Sequence, residues 1–142
     1  MTIENAVSHK EEAIVLLKAE NLPVNDLPEN LDGFFVATEG GEVVGMVGME
    51  IYGNYGLLRS VAVPPHRRGQ GIAGKLIRHV ESAGKLKGLS ALYLLTETAA
   101  EYFKNKGFIQ ISREQAPEEI KTSSEFSHVC PASAIVMEKP IL

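Results

Sequence analysis

Between Val61 and Gly74 the chain reads Val-Ala-Val-Pro-Pro-His-Arg-Arg-Gly-Gln-Gly-Ile-Ala-Gly, and residues of these types in this order are suited to holding an anion. Gly69, Gly71 and Gly74 leave little side-chain bulk, so backbone N–H groups can close on a ligand. A helix starting here adds first-turn N–H groups that have no intrahelical acceptor, an arrangement that receives phosphate. Arg67 and Arg68 bring cationic side chains to the same turn, where a diphosphate needs its charge met.

The spacing Gly69-x-Gly71-x-x-Gly74 also satisfies the dinucleotide fingerprint, and its context decides against that reading. In a dinucleotide site the first glycine follows its strand at once, and an acidic residue stands ~20 positions on. Here Pro64 to Arg68 separate strand from glycine, position 89 lies in Leu89-Ser90-Ala91, and Glu97 comes too late. The string from Val63 to Ala73 instead resembles the cofactor motif of the GCN5-related N-acetyltransferases, Val-x-Pro-x-x-(Gln/Arg)-x-x-Gly-x-(Gly/Ala), with Val63, Pro65, Arg68, Gly71 and Ala73 at its fixed positions. Ala99-x-x-Tyr102-Phe103-x-x-x-Gly107-Phe108 resembles the second motif of that family.

The resemblance implies that acetyl-coenzyme A is the cosubstrate and that no metal takes part. It implies that the amides of Arg68, Gly69, Gln70, Gly71, Ile72, Ala73 and Gly74 hold the pyrophosphate, and that the strand Val61-Ala62-Val63 hydrogen-bonds the pantetheine arm much as an added strand would. Thr96 and Phe103 join the cofactor-binding set on the same basis. The implied fold is α/β (α+β): a mixed, mainly antiparallel central sheet of about six to seven strands flanked by helices. The implied reaction is transfer of the acetyl group to the amine of a small molecule, by direct attack in a ternary complex. A non-catalytic acyl-coenzyme A sensor or regulatory module is the alternative.

Acetyl transfer to an amine needs a neutral nucleophile, a donor to the thioester oxygen and a proton for the departing thiolate. The resemblance puts the donor among backbone N–H groups near Val61. Many members carry a tyrosine four residues before the glycine of the second motif, and here that position is Phe103. Tyr102 is adjacent, but one helical step turns it by ~100°, which favours a core or rim position over a replacement acid. Glu39, Glu50 and Glu97 fall on or beside expected strand ends and are candidates to deprotonate an ammonium through water; a carboxylate in such a place is more often a solvated strand residue. Arg59, mid-strand before the motif, suits a carboxylate or oxyanion on the acceptor, or an ion pair with Glu50. His128-Val129-Cys130 has no helix N-terminus or basic cluster beside it to lower a thiol pKa, so Cys130 reads as a structural cysteine; His66 and His79 read as solvated.

Three further strings, Leu57 to Val63, Tyr93 to Thr96 and Cys130 to Ala134, resemble a subfamily found with arsenic-resistance genes. That likeness implies a small amino-acid-like or organoarsenical acceptor. One thiol is a poor trivalent-arsenic site, so direct metalloid binding by the protein is not expected.

The elements that must position these residues follow from pattern. Thr2 to Val7 reads as a short strand, and Ser8-His9-Lys10-Glu11 as a capping box opening a helix with Ala13, Ile14, Leu16 and Leu17 on its apolar side. Asn21 to Gly33 reads as a loop with room for a short second helix. Phe34 to Glu39 and Glu42 to Ile51 form a hairpin about Gly40-Gly41, and Gly53-Asn54 turns the chain into Tyr55 to Val63. Three consecutive antiparallel strands do not fit a doubly wound parallel sheet. An amphipathic helix runs from about Gly71 to Ala83, a buried strand covers Ala91 to Leu95, a helix covers Thr96 to Lys106, and strands cover Phe108 to Ser112 and Ala132 to Lys139, with a helical start at Pro117 to Ile120.

Composition narrows the functional class. A chain of 142 residues reads as one domain, 1–142, and 44% hydrophobic with 23% charged residues describes a globular protein without a membrane span. A formal charge of −4 and no lysine-rich face argue against nucleic acid, and Met1 to Asn5 has no secretory-signal character, which points to the cytoplasm. A lone cysteine makes neither an intrachain disulfide nor a multi-thiolate metal site. The partner expected is a small-molecule amine, and both monomer and homodimer are open.

Overall fold

The computed structural model describes residues 1–126 and 133–142, so His128 and Cys130 lie outside the described residues. Among those described, the strands are β1 (Thr2–Asn5), β2 (Phe34–Glu39), β3 (Glu42–Tyr52), β4 (Tyr55–Ala62), β5 (Ala91–Thr96), β6 (Ile109–Ile111) and β7 (Ile135–Pro140). The helices are α1 (Lys10–Ala19), α2 (Ile72–Leu86), α3 (Ala100–Lys104) and α4 (Glu118–Lys121). The sheet order is β1-β2-β3-β4-β5-β7-β6. The β1–β2, β2–β3, β5–β7 and β6–β7 ladders are antiparallel, and β4–β5 is parallel. The mixed, mainly antiparallel sheet expected from the sequence is the one found.

The chain divides into two compact units, Met1–Met49 with Arg59–Ser82 and Glu50–Leu58 with Ala83–Leu142. In the first, Ala13, Leu16 and Leu17 of α1 meet Leu31, Phe34, Val36, Met46 and Ala62 in one apolar cluster. The β2–β3 hairpin turns on Gly40 (φ 58°) and Gly41 (φ 84°), both left-handed, as a two-residue turn of the primed type requires. The helix carrying the anion turn is seated by an absence of side chain. A Cβ on Gly45 of β3 would stand 2.7 Å from Ile72 Cγ2 and 3.1 Å from Leu76 Cδ1. Only glycine lets the first turn of α2 come down on β3, where Ile72, Leu76, Ile77 and Val80 are buried.

In the second unit, Leu57, Ala91, Tyr93 and Ile120 form a cluster joined by Tyr52, Tyr55, Leu95, Ile111 and Phe126. β5 is buried from Ala91 to Leu94, in keeping with its apolar run, and its ladder to β7 extends from Ala91↔Pro140 to Thr96↔Ile135. The parallel ladder from β4 runs from Tyr55↔Ala91 to Leu57↔Tyr93.

Local signals misplaced two element ends, and the room left for a short second helix is not used. Ser8 does not cap α1: β1 stops at Asn5, whose side-chain oxygen accepts from the Val7 N–H at 2.8 Å and caps a 3-10 turn over Ala6–His9, and α1 follows from that turn. Residues 21–33 hold turns and no second helix; prolines 23 and 28 lack the N–H groups a helix needs there. The helix expected from Thr96 begins at Ala100, because Thr96 completes the ladder to β7 and its Oγ1 accepts from the Ala99 N–H at 3.0 Å.

Candidate functional site

The anion turn is built between the end of β4 and the start of α2. Pro65 opens a 3-10 turn over Pro65–Arg67, with the Arg67 N–H donating to the Pro64 carbonyl at 2.9 Å and the Arg68 N–H to that of Pro65 at 3.3 Å. Gly69 (φ 80°) and Gly71 (φ 77°) are left-handed, and a Cβ at either position would have nothing within 4 Å. Their glycine identity is therefore set by backbone conformation, and the face they leave is open for a ligand to approach the main chain. At the head of α2, the Gly71 carbonyl accepts from Lys75 N–H at 3.1 Å, no acidic residue occupies the first turn, and the leading amides have no intrahelical acceptor. Donors, dipole and open face from Arg68 to Gly74 fit a diphosphate.

The two arginines of the turn differ in availability. Arg67 is paired with Glu39 at 2.5 Å and its side chain is 20% exposed. Arg68 is 57% exposed; its Nε donates to the Val63 carbonyl at 3.2 Å and its terminal nitrogen pairs with Glu20 at the end of α1. The Arg68 guanidinium is the solvent-facing side of this pair, Glu20 being 16% exposed, and from that side it can reach a phosphate.

Immediately upstream, β4 carries a cluster of the opposite character. Arg59 is 3% exposed, and its guanidinium grips Asp26 with both terminal nitrogens, at 2.6 and 2.8 Å. Its Nε donates to Ser60 Oγ at 3.1 Å, and its guanidinium carbon stands 5.7 Å from the centre of the Phe34 ring. Burial raises the Asp26 carboxyl, but the hydrogen bonds and charge of Arg59 outweigh it and hold the group below the ordinary carboxylate range. Ser60 is buried and left-handed at φ 56°, a conformation that costs a non-glycine residue about 1–2 kcal/mol. The residue before Val61 is thus strained and clamped.

The structure places the other candidates as follows. Val61 and Val63 are half-buried and Ala62 is buried at the end of β4. The Glu50 carboxylate accepts from the Tyr52 hydroxyl at 3.0 Å, and Glu97 is exposed beyond the end of β5. Glu39 is held below the usual carboxylate range, first by its hydrogen bond from Arg67 and then by that cation's charge, which weakens it as a base. Phe103 is buried, with its ring edge-on to Phe108 at 5.7 Å. Tyr102 is 37% exposed, with Lys106 Nζ 5.4 Å from its ring centre. Tyr93 donates its hydroxyl to Glu138 at 2.5 Å; burial, then that carboxylate, push its phenol well above the ordinary range and make it a poor proton donor. His66 is exposed 3.5 Å from Glu42, whereas His79, read as solvated, is half-buried edge-on to Phe35 at 4.7 Å. Among the described residues no group of three or more His, Cys, Asp or Glu is arranged to hold a metal.

Three participants escaped the sequence reading: Asp26, Glu20 and the left-handed Ser60. Asp26 lies in a loop among Leu22, Val24, Leu27 and Leu31, and an acidic residue in so apolar a stretch was the available signal. Nothing local names its partner.

Comparison with known proteins supplies independent findings. A family profile described as "Acetyltransferase (GNAT) domain" matches residues 30–110. The "Uncharacterized N-acetyltransferase CT2212" of Chlorobaculum tepidum is 30% identical over 98 residues, which is 68% of this chain and 63% of that protein. The "Amino-acid acetyltransferase" of Ralstonia nicotianae is 26% identical over 95 residues, 66% of this chain and 21% of that protein. The chain therefore spans less than two thirds of these curated relatives. Among solved structures, Rv2747 from Mycobacterium tuberculosis, in complex with CoA and NLQ, superposes with a TM-score of 0.81 at 22% identity and full coverage of both chains.

Proposed function

The chain belongs to the GNAT acetyltransferase family, and from that premise we propose that it is an acetyl-coenzyme A-dependent N-acetyltransferase whose acceptor is a small amino-acid-like amine. The observation that carries this is the turn at Arg68–Gly74, with left-handed glycines open to a ligand and one solvent-facing arginine. The relative named an amino-acid acetyltransferase supports the acceptor class, and the strings shared with arsenic-resistance-associated members keep an amino-bearing organoarsenical among the acceptors.

Acetyl-coenzyme A supplies an activated thioester carbonyl. Residues Arg68 to Gly74 hold its diphosphate, and the backbone around Val61 donates to the thioester oxygen. Glu50, which accepts from the Tyr52 hydroxyl, and Glu97 are the candidates to take a proton from the acceptor ammonium through water, and Arg67 occupies Glu39. Phe103 offers no proton to a leaving thiolate, so that proton comes from water or from the acceptor's own ammonium. A coenzyme A thiol, near the cysteine reference of ~8.5, needs only that modest assistance.

Thermal shift with acetyl-coenzyme A and thiol release across a panel of amino acids and an amino-bearing organoarsenical test the reading. Ligand at ~100 times its dissociation constant adds about 2.7 kcal/mol of stability. No shift at millimolar acetyl-coenzyme A refutes the cofactor assignment. Binding without thiol release from any amine favours the sensor module, the reading that Phe103 supports.

A further inference from the structure

Building on that reading, we propose that Asp26 and Arg59 are positioning residues for acetyl transfer: their buried pair fixes the left-handed backbone at Ser60 and thereby aims the Val61 N–H. Three observations converge on it. Arg59 contributes a fully buried side chain, and Asp26, 12% exposed, meets it with both carboxylate oxygens. The remaining guanidinium nitrogen donates to the side chain of Ser60. Ser60 in turn holds a positive φ inside a strand, which persists only when its surroundings over-determine it.

An ion pair buried to this degree adds little net stability compared with apolar residues of similar volume. What it supplies is direction. A planar fork locked by a carboxylate has one orientation, so its Nε–H fixes where Ser60 Oγ sits. Asp26 belongs to the segment 20–33, which has no helix or strand of its own. Its other described anchors include apolar contacts of Leu22, Val24, Leu27 and Leu31, the Leu22 N–H bond to the Leu17 carbonyl at 2.9 Å, the Met49 N–H bond to the Gly33 carbonyl at 3.0 Å, and Lys10 Nζ on the Glu29 carbonyl; none of these hydrogen bonds reaches β4. The carboxylate thus ties this loop to the strand residue next to the reacting centre. The anion turn is held separately, by Arg67–Glu39 and by the seat of α2 on Gly45. Loss of the pair therefore falls on turnover and spares cofactor binding.

The experiment replaces the pair as a unit, Asp26→Leu with Arg59→Met, so that no charge is stranded. It is read with acetyl-coenzyme A and with the amine giving the fastest thiol release from the parent. A misplacement on the order of 1 Å costs up to about a hundredfold in rate, so turnover at saturation should fall at least about tenfold, with acetyl-coenzyme A affinity within about threefold of the parent. Turnover within about threefold of the parent means the pair only fills space and overturns the proposal; so does a loss of acetyl-coenzyme A affinity of about tenfold or more, which places the pair under the turn instead. Should the double variant not fold, Ser60→Ala removes the oxygen that Arg59 holds while keeping a β-carbon that disfavours the left-handed region, and unchanged turnover there is equally fatal. A parent that neither binds acetyl-coenzyme A nor releases thiol is a failure of the family-based reading, seen before any variant is made.

Discussion

The strand end around Arg59 and the turn around Arg68 are neighbours along the chain, carry the same cation and face opposite environments. Arg59 is sealed from water and gripped by Asp26, beside a serine forced left-handed. Arg68 is open to solvent, and its left-handed neighbours are glycines that hold that conformation without strain. The difference teaches that residue type gives an arginine its chemistry, while burial decides whether that chemistry serves a ligand or the frame. One region presents its cation to solvent, and the other closes its cation on a carboxylate of the same chain.

The sharpest way to break this contrast is at the turn. Gly71→Asp adds a carboxylate at the proposed diphosphate position, in space that is empty. The protein should still fold, and acetyl-coenzyme A affinity by calorimetry should drop by about a hundredfold or more, from lost close approach and like-charge repulsion. Binding at the parent level places the phosphate elsewhere.

Next in size are the matched substitutions Arg59→Met and Arg68→Met. The first strands a buried Asp26 carboxylate and should destabilise the fold by about 3–5 kcal/mol in urea unfolding. The second removes a cation that is 57% exposed and should cost no more than about 1 kcal/mol while weakening acetyl-coenzyme A by about tenfold. Equal effects on stability from the two would erase the distinction between frame and ligand site.

The smallest effect tests the exposed end of the scale. His9 Nε2 stands 2.6 Å from Glu4 and Nδ1 3.2 Å from Glu12, and the hydrogen bond to Glu4, opposed by burial and aided by Glu12, raises the imidazole above its ordinary value. The folded state therefore favours the charged ring. Its contribution is complete below about pH 6.5 and fades as pH rises through the raised folded value, with a total below about 1 kcal/mol because both carboxylates are largely exposed. Thermal midpoints from pH 6 to 9 should decline more steeply in the parent than in His9→Gln. Parallel slopes would show that the contact adds nothing.

What was legible in the sequence was what short-range chemistry dictates. Strand alternation, the Gly40-Gly41 hairpin and the apolar period of α2 recur within a few residues, so β2, β3, β4 and α2 lie within a residue or a few of where the pattern put them. The anion turn was legible for the same reason: its glycines, arginines and helix start are contiguous. The capping box at Ser8 and the long helix from Thr96 were misread because a local motif competed with a strand ladder and a 3-10 turn whose hydrogen bonds came from elsewhere.

The sequence by itself thus determined the sheet-forming segments, the glycine and arginine turn before α2 and the acetyltransferase resemblance, all carried by residues adjacent along the chain. Only the tertiary structure decided that Arg59 belongs to Asp26, that Arg68 stays open to solvent, that Ser60 is left-handed, and that Gly45 is the seat of Ile72. Each of these depends on which distant group arrives within a few ångströms and on how much water remains there, and both are settled by packing, not by spacing along the chain.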